Sequence, residues 1–470
     1  MQLYLMERRM LFWALILLAT LSCSSQNAIL LTQSDVDNFP NNFPGVTSLS
    51  SLEVYSESID NLDALSQITE VTGNVSISSP TTVNNALTDL NGLNNITTIG
   101  GMLTLDGLHN INATNLFPAL TELGSGAANN GLRIQGACAE SFIGFNSLLH
   151  IKGNFMITNT TNLVAVNGFN SLLSVKSNTS NPANFQFQNN VHLVSISGFS
   201  GLTEIGSNYF IDNNPNLTAL PSIPTLAKIG SALIISLNPN LINLNPLQSI
   251  ETITKGMIFI NNNTSLASLS GLENITLCNG IIISSNPTLT DLSALANVTA
   301  FNPAPLSNRP VFTIRNNSML SNLTGLENIA GSTIGNVSIQ NNPNLSNCAI
   351  ESLCEKIAFD TNLSGFVTIS NNSGNCASAA NINTACQTLN TVDFREVTDI
   401  IISPNPVQSI LTLNHVGHKT TVRILDVLGR IRKYYLIAED TLDVSDLEQG
   451  LYIIQFNDES AMFCTKFSKK

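Results

Sequence analysis

From about residue 190 onward, apolar residues recur at every third position and then tighten to every second. One stretch runs Leu193, Ile196, Phe199, Leu202, Ile205, then Tyr209 and Ile211. The next runs Leu217, Leu220, Ile223, Leu226, Ile229, then Leu233 and Ile235. A later one runs Leu320, Leu323, Leu326, Ile329, then Val337 and Ile339. No α-helix sustains a strict three-residue period, because its apolar face recurs at three and four. The closing pair, two apart, predicts a short half-buried strand such as 232–236. Each unit therefore reads as one coil: a strand, a corner, and a winding segment with an inward residue at every third position.

The corners carry a recurring sequence, 213-NNPNLTAL-220, 237-LNPNLINL-244, 285-SNPTLTDL-292 and 341-NNPNLSNC-348. Proline fixes φ and cannot extend a sheet ladder. Asparagine tolerates left-handed φ and bonds nearby backbone through its amide. Stacked copies predict an Asn ladder between coils. The Leu after each corner (Leu193, Leu217, Leu241, Leu266 and Leu289) recurs about every 24 residues, continuing to Leu320 and Leu345 and back to Leu163. Repeats of this length build solenoids, in which stacked units bury one continuous core. Irregular spacing near 105–140 and 170–190 predicts bulging loops.

The coils also share an L-xx-L-x-GL-xx-I pattern, in 86-ALTDLNGLNNITTIGG-101, 266-LASLSGLENI-275 and 320-LSNLTGLENI-329. On these residues, about 50–390 resembles the leucine-rich-repeat-like solenoids of receptor L domains. The predicted fold is mainly β: a right-handed β-solenoid of roughly a dozen such repeats, followed by a small antiparallel β-sandwich. The expected domains are a signal peptide (1–25), an N-terminal cap or linker (26–49), the solenoid (50–345), a disulfide-bonded C-terminal cap (346–390), a linker (391–399) and a terminal domain (400–470).

The ends define the export route. Arg8 and Arg9 precede the apolar run 10–21 and the small residues 22-SCSS-25, the layout of a secretory signal with cleavage near Ser25. Cys23 raises acylation as an alternative processing. After residue 393 the Asn-rich repeats stop, and alternating ILTL, TVRIL and YIIQF segments predict antiparallel strands. Ser403-Pro404-Asn405-Pro406, the strand 422–430 with Gly429 and Arg430, the segment 442–454 with Gly450 and Tyr452, and a basic end containing Lys466 fall in order. This tail resembles the C-terminal sorting domain of the Bacteroidetes type IX secretion system. That resemblance implies contact with the secretion machinery, removal of the tail, and release from the cell or attachment to its surface. The rival reading is an ordinary Ig-like accessory domain.

Composition narrows the function. Hydrophobic residues make up 43% and charged residues only 11%, with a net charge of −13. Such a chain lacks the basic surface that follows a phosphate backbone, so no nucleic-acid partner is expected. Of eight cysteines, Cys348, Cys354, Cys376 and Cys386 cluster in the predicted cap, beside a short helix expected over 348–358. Three pairings are open, with Cys348–Cys376 and Cys354–Cys386 preferred; a zinc site is the alternative.

Catalytic signals are sparse. His109, His150 and His192 sit in different units, none beside a Ser or Cys in the repeat register. Asp60, Asp63, Asp89, Asp106, Asp212 and Asp291 are scattered. No cofactor motif or clustered calcium loop is present. Between signal and tail the aromatic binders reduce to Tyr55 and Tyr209. The expectation is a non-enzymatic secreted or surface protein with a protein or polysaccharide ligand. A secreted polysaccharide-degrading enzyme is the alternative, and an adhesive surface filler a third reading.

Overall fold

The computed structural model describes residues 26–55, 57–79, 86–127, 129–136, 138–178, 180–302, 311–359, 367–389, 401–414, 421–426, 431–436, 441–457 and 462–470. The expected signal segment with Cys23, the linker 391–399, Gly429 and Arg430 lie outside these residues. The chain divides into two compact units at Asn383/Thr384.

The first unit is a parallel β-solenoid of about 12 turns. Its main ladder stacks one strand per coil, for example Phe185–Gln188, Tyr209–Asp212, Leu233–Ser236, Ile258–Asn261 and Gly280–Ser284, all parallel. A second ladder of two-residue strands marks another side, running through His150–Ile151, Ser174–Val175, Glu204–Ile205, Lys228–Ile229 and Thr252–Ile253. The repeat Leu residues, from Leu163 to Leu345, are all fully buried. So are the alternating strand residues Tyr209, Ile211, Leu233 and Ile235.

The corner divides its labour between neighbouring residues. The left-handed position is the residue before the ladder Asn: Asn189, Asn213, Leu237, Asn262, Ser285, Asn316, Asn341 and Asn371, each with φ between 52° and 57°. Leu237 stands there 43% exposed, a branched side chain in a conformation that favours Asn or Gly. The next residue forms the ladder. Asn190, Asn214, Asn238, Asn263, Asn286, Asn317 and Asn342 are fully buried. Each Oδ1 from Asn214 onward accepts the N–H of the ladder Asn one coil earlier, as Asn263 does from Asn238 (3.2 Å) and Asn286 from Asn263 (3.0 Å). Each Nδ2 donates to a strand carbonyl of the preceding coil, Asn263 to Ile235 at 2.9 Å and Asn317 to Ile283 at 3.0 Å. Backbone groups that the turn would orphan are thereby satisfied.

The glycine of the L-xx-L-x-GL motif has a packing cause. A Cβ on Gly92 would lie 1.6 Å from the Leu62 carbonyl oxygen, and one on Gly271 2.0 Å from that of Leu244. The coils approach too closely there for any side chain.

Aromatic rings fill the middle of the core. Phe117, Phe145, Phe169 and Phe199 stack with centroids 5.9, 5.3 and 5.5 Å apart. The first three hold φ of 48°, 62° and 63°, a strained state for a bulky residue that the stack and its burial offset. Tyr209 stacks on Phe185, and its hydroxyl is buried with no hydrogen-bond partner among the described residues. Burial pushes that phenol far above its ordinary pKa. Tyr209→Phe is therefore expected to keep or raise stability, by about 1 kcal/mol, because it removes an unsatisfied polar group. Denaturant unfolding checks this; a loss of stability would mean the hydroxyl has a partner.

Both ends of the solenoid depart from the repeat. At the N-terminal end, the strand Gln26–Leu30 is followed by helices Gln33–Asp37 and Phe39–Asn42, whose Val36 and Phe39 are fully buried. Thr32 and Asp35 form a capping box, and the Leu31 N–H, the Thr32 hydroxyl and the Thr32 N–H hold the Asp35 carboxyl below the usual carboxylate range. Towards the other end, the helix expected over 348–358 spans Glu351–Phe359. A second helix, Ala379–Leu389, has no counterpart in the sequence reading. Cys348 is bonded to Cys376, with Cα atoms 5.2 Å apart. Cys354 and Cys386 are also disulfide-bonded. A zinc site would need these sulfurs as thiolates, so that alternative falls.

The second unit holds two antiparallel sheets. One orders Ile401–Ser403, Ile410–Asn414 and Thr441–Asp443; the other orders Ile431–Leu436, Thr421–Asp426, Gly450–Asn457 and Met462–Lys469. Leu411, Leu413 and Leu442 from the first pack with Val422, Ile424, Tyr452, Ile454 and Phe467 from the second in a single buried cluster.

Candidate functional site

The tail brings its motif residues together around the last strand. Asn405 Oδ1 accepts the Ser468 N–H at 2.8 Å, and its Nδ2 donates to the Lys466 carbonyl at 3.3 Å. Val407, just after Pro406, bridges Lys469: its N–H donates to the Ser468 carbonyl, and its own carbonyl accepts from Lys470. Tyr452 stacks on Phe467, centroids 5.6 Å apart, while its hydroxyl donates to the Glu448 carbonyl at 2.9 Å. Gly450 opens a strand and pairs with Lys469. Pro404, Asn405, Pro406 and Lys466 are exposed. The motif thus has a structural half that clamps the C-terminal strand and an exposed half available to a partner.

On the solenoid, outward residues of the main ladder form two rows. Phe210, Ile234, Phe259 and Ile282 stand in register on four adjacent strands, each half-buried. Met156 and Gln186 extend the row on one side and Thr313 on the other. The second row is polar and internally bonded. Gln188 Nε2 donates to Asp212 at 3.0 Å, the Ser236 hydroxyl donates to Asp212, and Ser284 donates to Asn261 at 2.7 Å.

The short ladder corrects one expectation. His150 does stand beside a serine: its Nδ1 lies 2.9 Å from Ser174 Oγ, and Glu122 pairs with His150 on the other side. The signal was a spacing of 24 residues between 150 and 174. The inserted loop follows Ser174, so aligning on Leu163 and Leu193 hid the register. The geometry stops short of a hydrolytic triad. Glu122 is bound by Lys152 at 2.7 Å, and that bond, with the Lys152 and His150 charges, lowers its pKa. An oxyanion hole needs free N–H groups near the nucleophile. Those around Ser174 are spent between coils: Leu173 and Ser174 donate to the Leu149 carbonyl and Lys176 to that of Ile151.

The other candidate groups are dispersed and locally bonded. Asp106 accepts from Gln135, Asp89 from the Asn91 N–H, Asp291 from Ser293 and Asp60 from Asn61. Cys138 and Cys278 are free thiols, which burial pushes up to about 12. No group of three or more His, Cys, Asp or Glu among the described residues is placed to hold a metal ion.

The molecule is thus a parallel β-solenoid repeat protein whose chain ends in a separate antiparallel β-sandwich. Residues 402–470 match the family described as the secretion system C-terminal sorting domain. This tail marks the protein as cargo of the type IX secretion system, exported to the cell surface or the extracellular space. No curated protein matches the chain.

Proposed function

We propose that the exported solenoid is a non-enzymatic binding and adhesion module, in contact with its ligand through the outer face of the main ladder. The row Phe210, Ile234, Phe259 and Ile282 carries this reading. Outward positions of an exposed sheet are usually polar, yet four in register are large and apolar, beside a polar row suited to orienting a partner. Extended surfaces of stacked coils are the common binding device of solenoids. The receptor-L-domain-like L-xx-L-x-GL-xx-I coils point the same way. Among the described residues, the carboxylates whose pKa moves, Asp35, Glu122 and Asp443, all move down, the wrong direction for a general acid.

The test is retention of full-length protein on protein-coated and polysaccharide-coated surfaces, with release of reducing ends assayed on the same samples. Phe210→Ser combined with Phe259→Ser is expected to weaken retention roughly tenfold or more, with the native fold retained by circular dichroism and a modestly lowered unfolding midpoint. Unchanged retention would rule out this face. Chain cleavage by the unaltered protein would favour the polysaccharide-degrading alternative.

A further inference from the structure

Cationic side chains are scarce in the solenoid, and their placement is uneven. Residues 26–389 contain five lysines: Lys152, Lys176, Lys228, Lys255 and Lys356. The first four all fall at one corner, within or just after the short strands of neighbouring coils. Lys152 and Lys176 are neutralised by Glu122 and Glu204, at 2.7 and 2.6 Å. Lys228 and Lys255 are exposed and have no ion-pair partner among the described residues. In a chain of net charge −13 this is a local reversal of sign.

The corner is also concave. A groove of about 300 Å³ opens between Lys176, Lys228 and Lys255, with Ser177 and Asn181 on one wall and Thr254 on another. Gly206 and Gly230, in successive coils, line it without side chains, and at Gly230 none fits: a Cβ there would lie 2.1 Å from the Gly206 carbonyl oxygen. The loop that carries Ser177 and Asn181 is pinned by both side chains to the Gly126 carbonyl, at 2.9 and 3.1 Å. The Thr254 hydroxyl is buried and has no hydrogen-bond partner among the described residues. The groove is therefore a pinned concavity with two ammonium groups outside any ion pair among the described residues, at the small end of the ligand-site range.

We propose that this groove binds a carboxylate-bearing saccharide, with Lys228 and Lys255 on the carboxylate and the hydroxyl and amide groups of the walls on the sugar hydroxyls. The inference deepens the binding function proposed above and rests on it. A saccharide fits better than an acidic peptide because Glu204 lines the same groove. A polyacidic peptide sets carboxylates with little else between them against that charge, whereas a uronate saccharide spaces its acid groups by a sugar ring and sets hydroxyls between them.

The experiment titrates the full-length protein with trisaccharides of galacturonate, glucuronate and mannuronate, against neutral galactose and glucose trisaccharides, inorganic phosphate and a hexaglutamate peptide. At least one acidic trisaccharide is expected to bind, and the neutral ones not. Lys228→Ala with Lys255→Ala should weaken that binding at least tenfold, and Lys228→Arg with Lys255→Arg should largely restore it. Phe210→Ser with Phe259→Ser should leave it unchanged. The proposal is overturned if no acidic trisaccharide binds, if the double alanine variant binds as before, if phosphate competes as well as the sugar, or if hexaglutamate binds more tightly. Surface retention lost in the Phe variants but insensitive to acidic sugars and to the lysine variants would overturn this groove assignment alone and leave the adhesion reading standing.

Discussion

A chain ending at Thr391 is expected to vanish from the medium and the cell surface and to accumulate inside the outer membrane. The tail holds its own core of at least ten buried residues, from Val407 to Phe467, drawn from both sheets. The solenoid's coils are built from their own ladders, so removing the tail takes away the address while the cargo's repeat packing stays intact. The loss of exported protein should be near-complete, measured by fractionation and immunoblot. Intact mass of the exported full-length product gives a second reading, with an expected start near Gln26 and an expected end between residues 390 and 400. Undiminished export of the shortened chain would remove the sorting role. A tail retained on the mature product would make the sandwich a working domain.

Asn263→Ala should be the most damaging single exchange in the solenoid of those considered. It takes the acceptor from the buried Asn238 N–H and the donor from the Ile235 carbonyl, and leaves a void where a fully buried amide stood. Each orphaned buried group costs about 1–3 kcal/mol, so the two together cost about 2–6 kcal/mol. Stability in a solenoid is a sum over coils and their interfaces, so breaking one interface divides the array as well as weakening it. Denaturant unfolding should show a lower midpoint or a transition split in two. Asn216→Ala is the control: this exposed side chain makes one bond, to the Val191 carbonyl at 2.7 Å, and its loss should cost under about 1 kcal/mol. Equal losses in the two variants would mean that the ladder has no special role.

What the sequence showed plainly was whatever repeats with a period. The repeat Leu series, the paired strand residues and the corner asparagines recur at fixed steps, so their burial and stacking followed from spacing alone. The roles inside the corner were less legible. Left-handed φ falls on Asn213 and the ladder bond on Asn214, two adjacent residues of one type that only the backbone distinguishes. Short strands such as His150–Ile151 and Ser174–Val175 carry too few residues to show a pattern, so the His150–Ser174 pairing stayed hidden. The lysine corner escaped for a related reason: its four members occupy three different positions within their coils, and an inserted loop brings Ser177 and Asn181 beside them. Tyr209 stood both in the inward strand pair and among the few remaining aromatic binders, and its burial in the core bears out the first placement. In the tail, local order in the sequence was enough to find the motif but not to show that Asn405 fastens the final strand.

From Phe185 through Tyr209 to Leu233 the main ladder advances by a uniform 24 residues, strand facing strand with no shift of register. Each such coil presents the same pattern of donors and acceptors to the coil before it as to the coil after it. A segment of that length can therefore be gained or lost by gene duplication or deletion without a mismatched seam, changing the length of the rod by about 4.8 Å each time. The length of the solenoid is thus a heritable quantity that varies in whole steps, while its two dissimilar ends and its export address stay as they are.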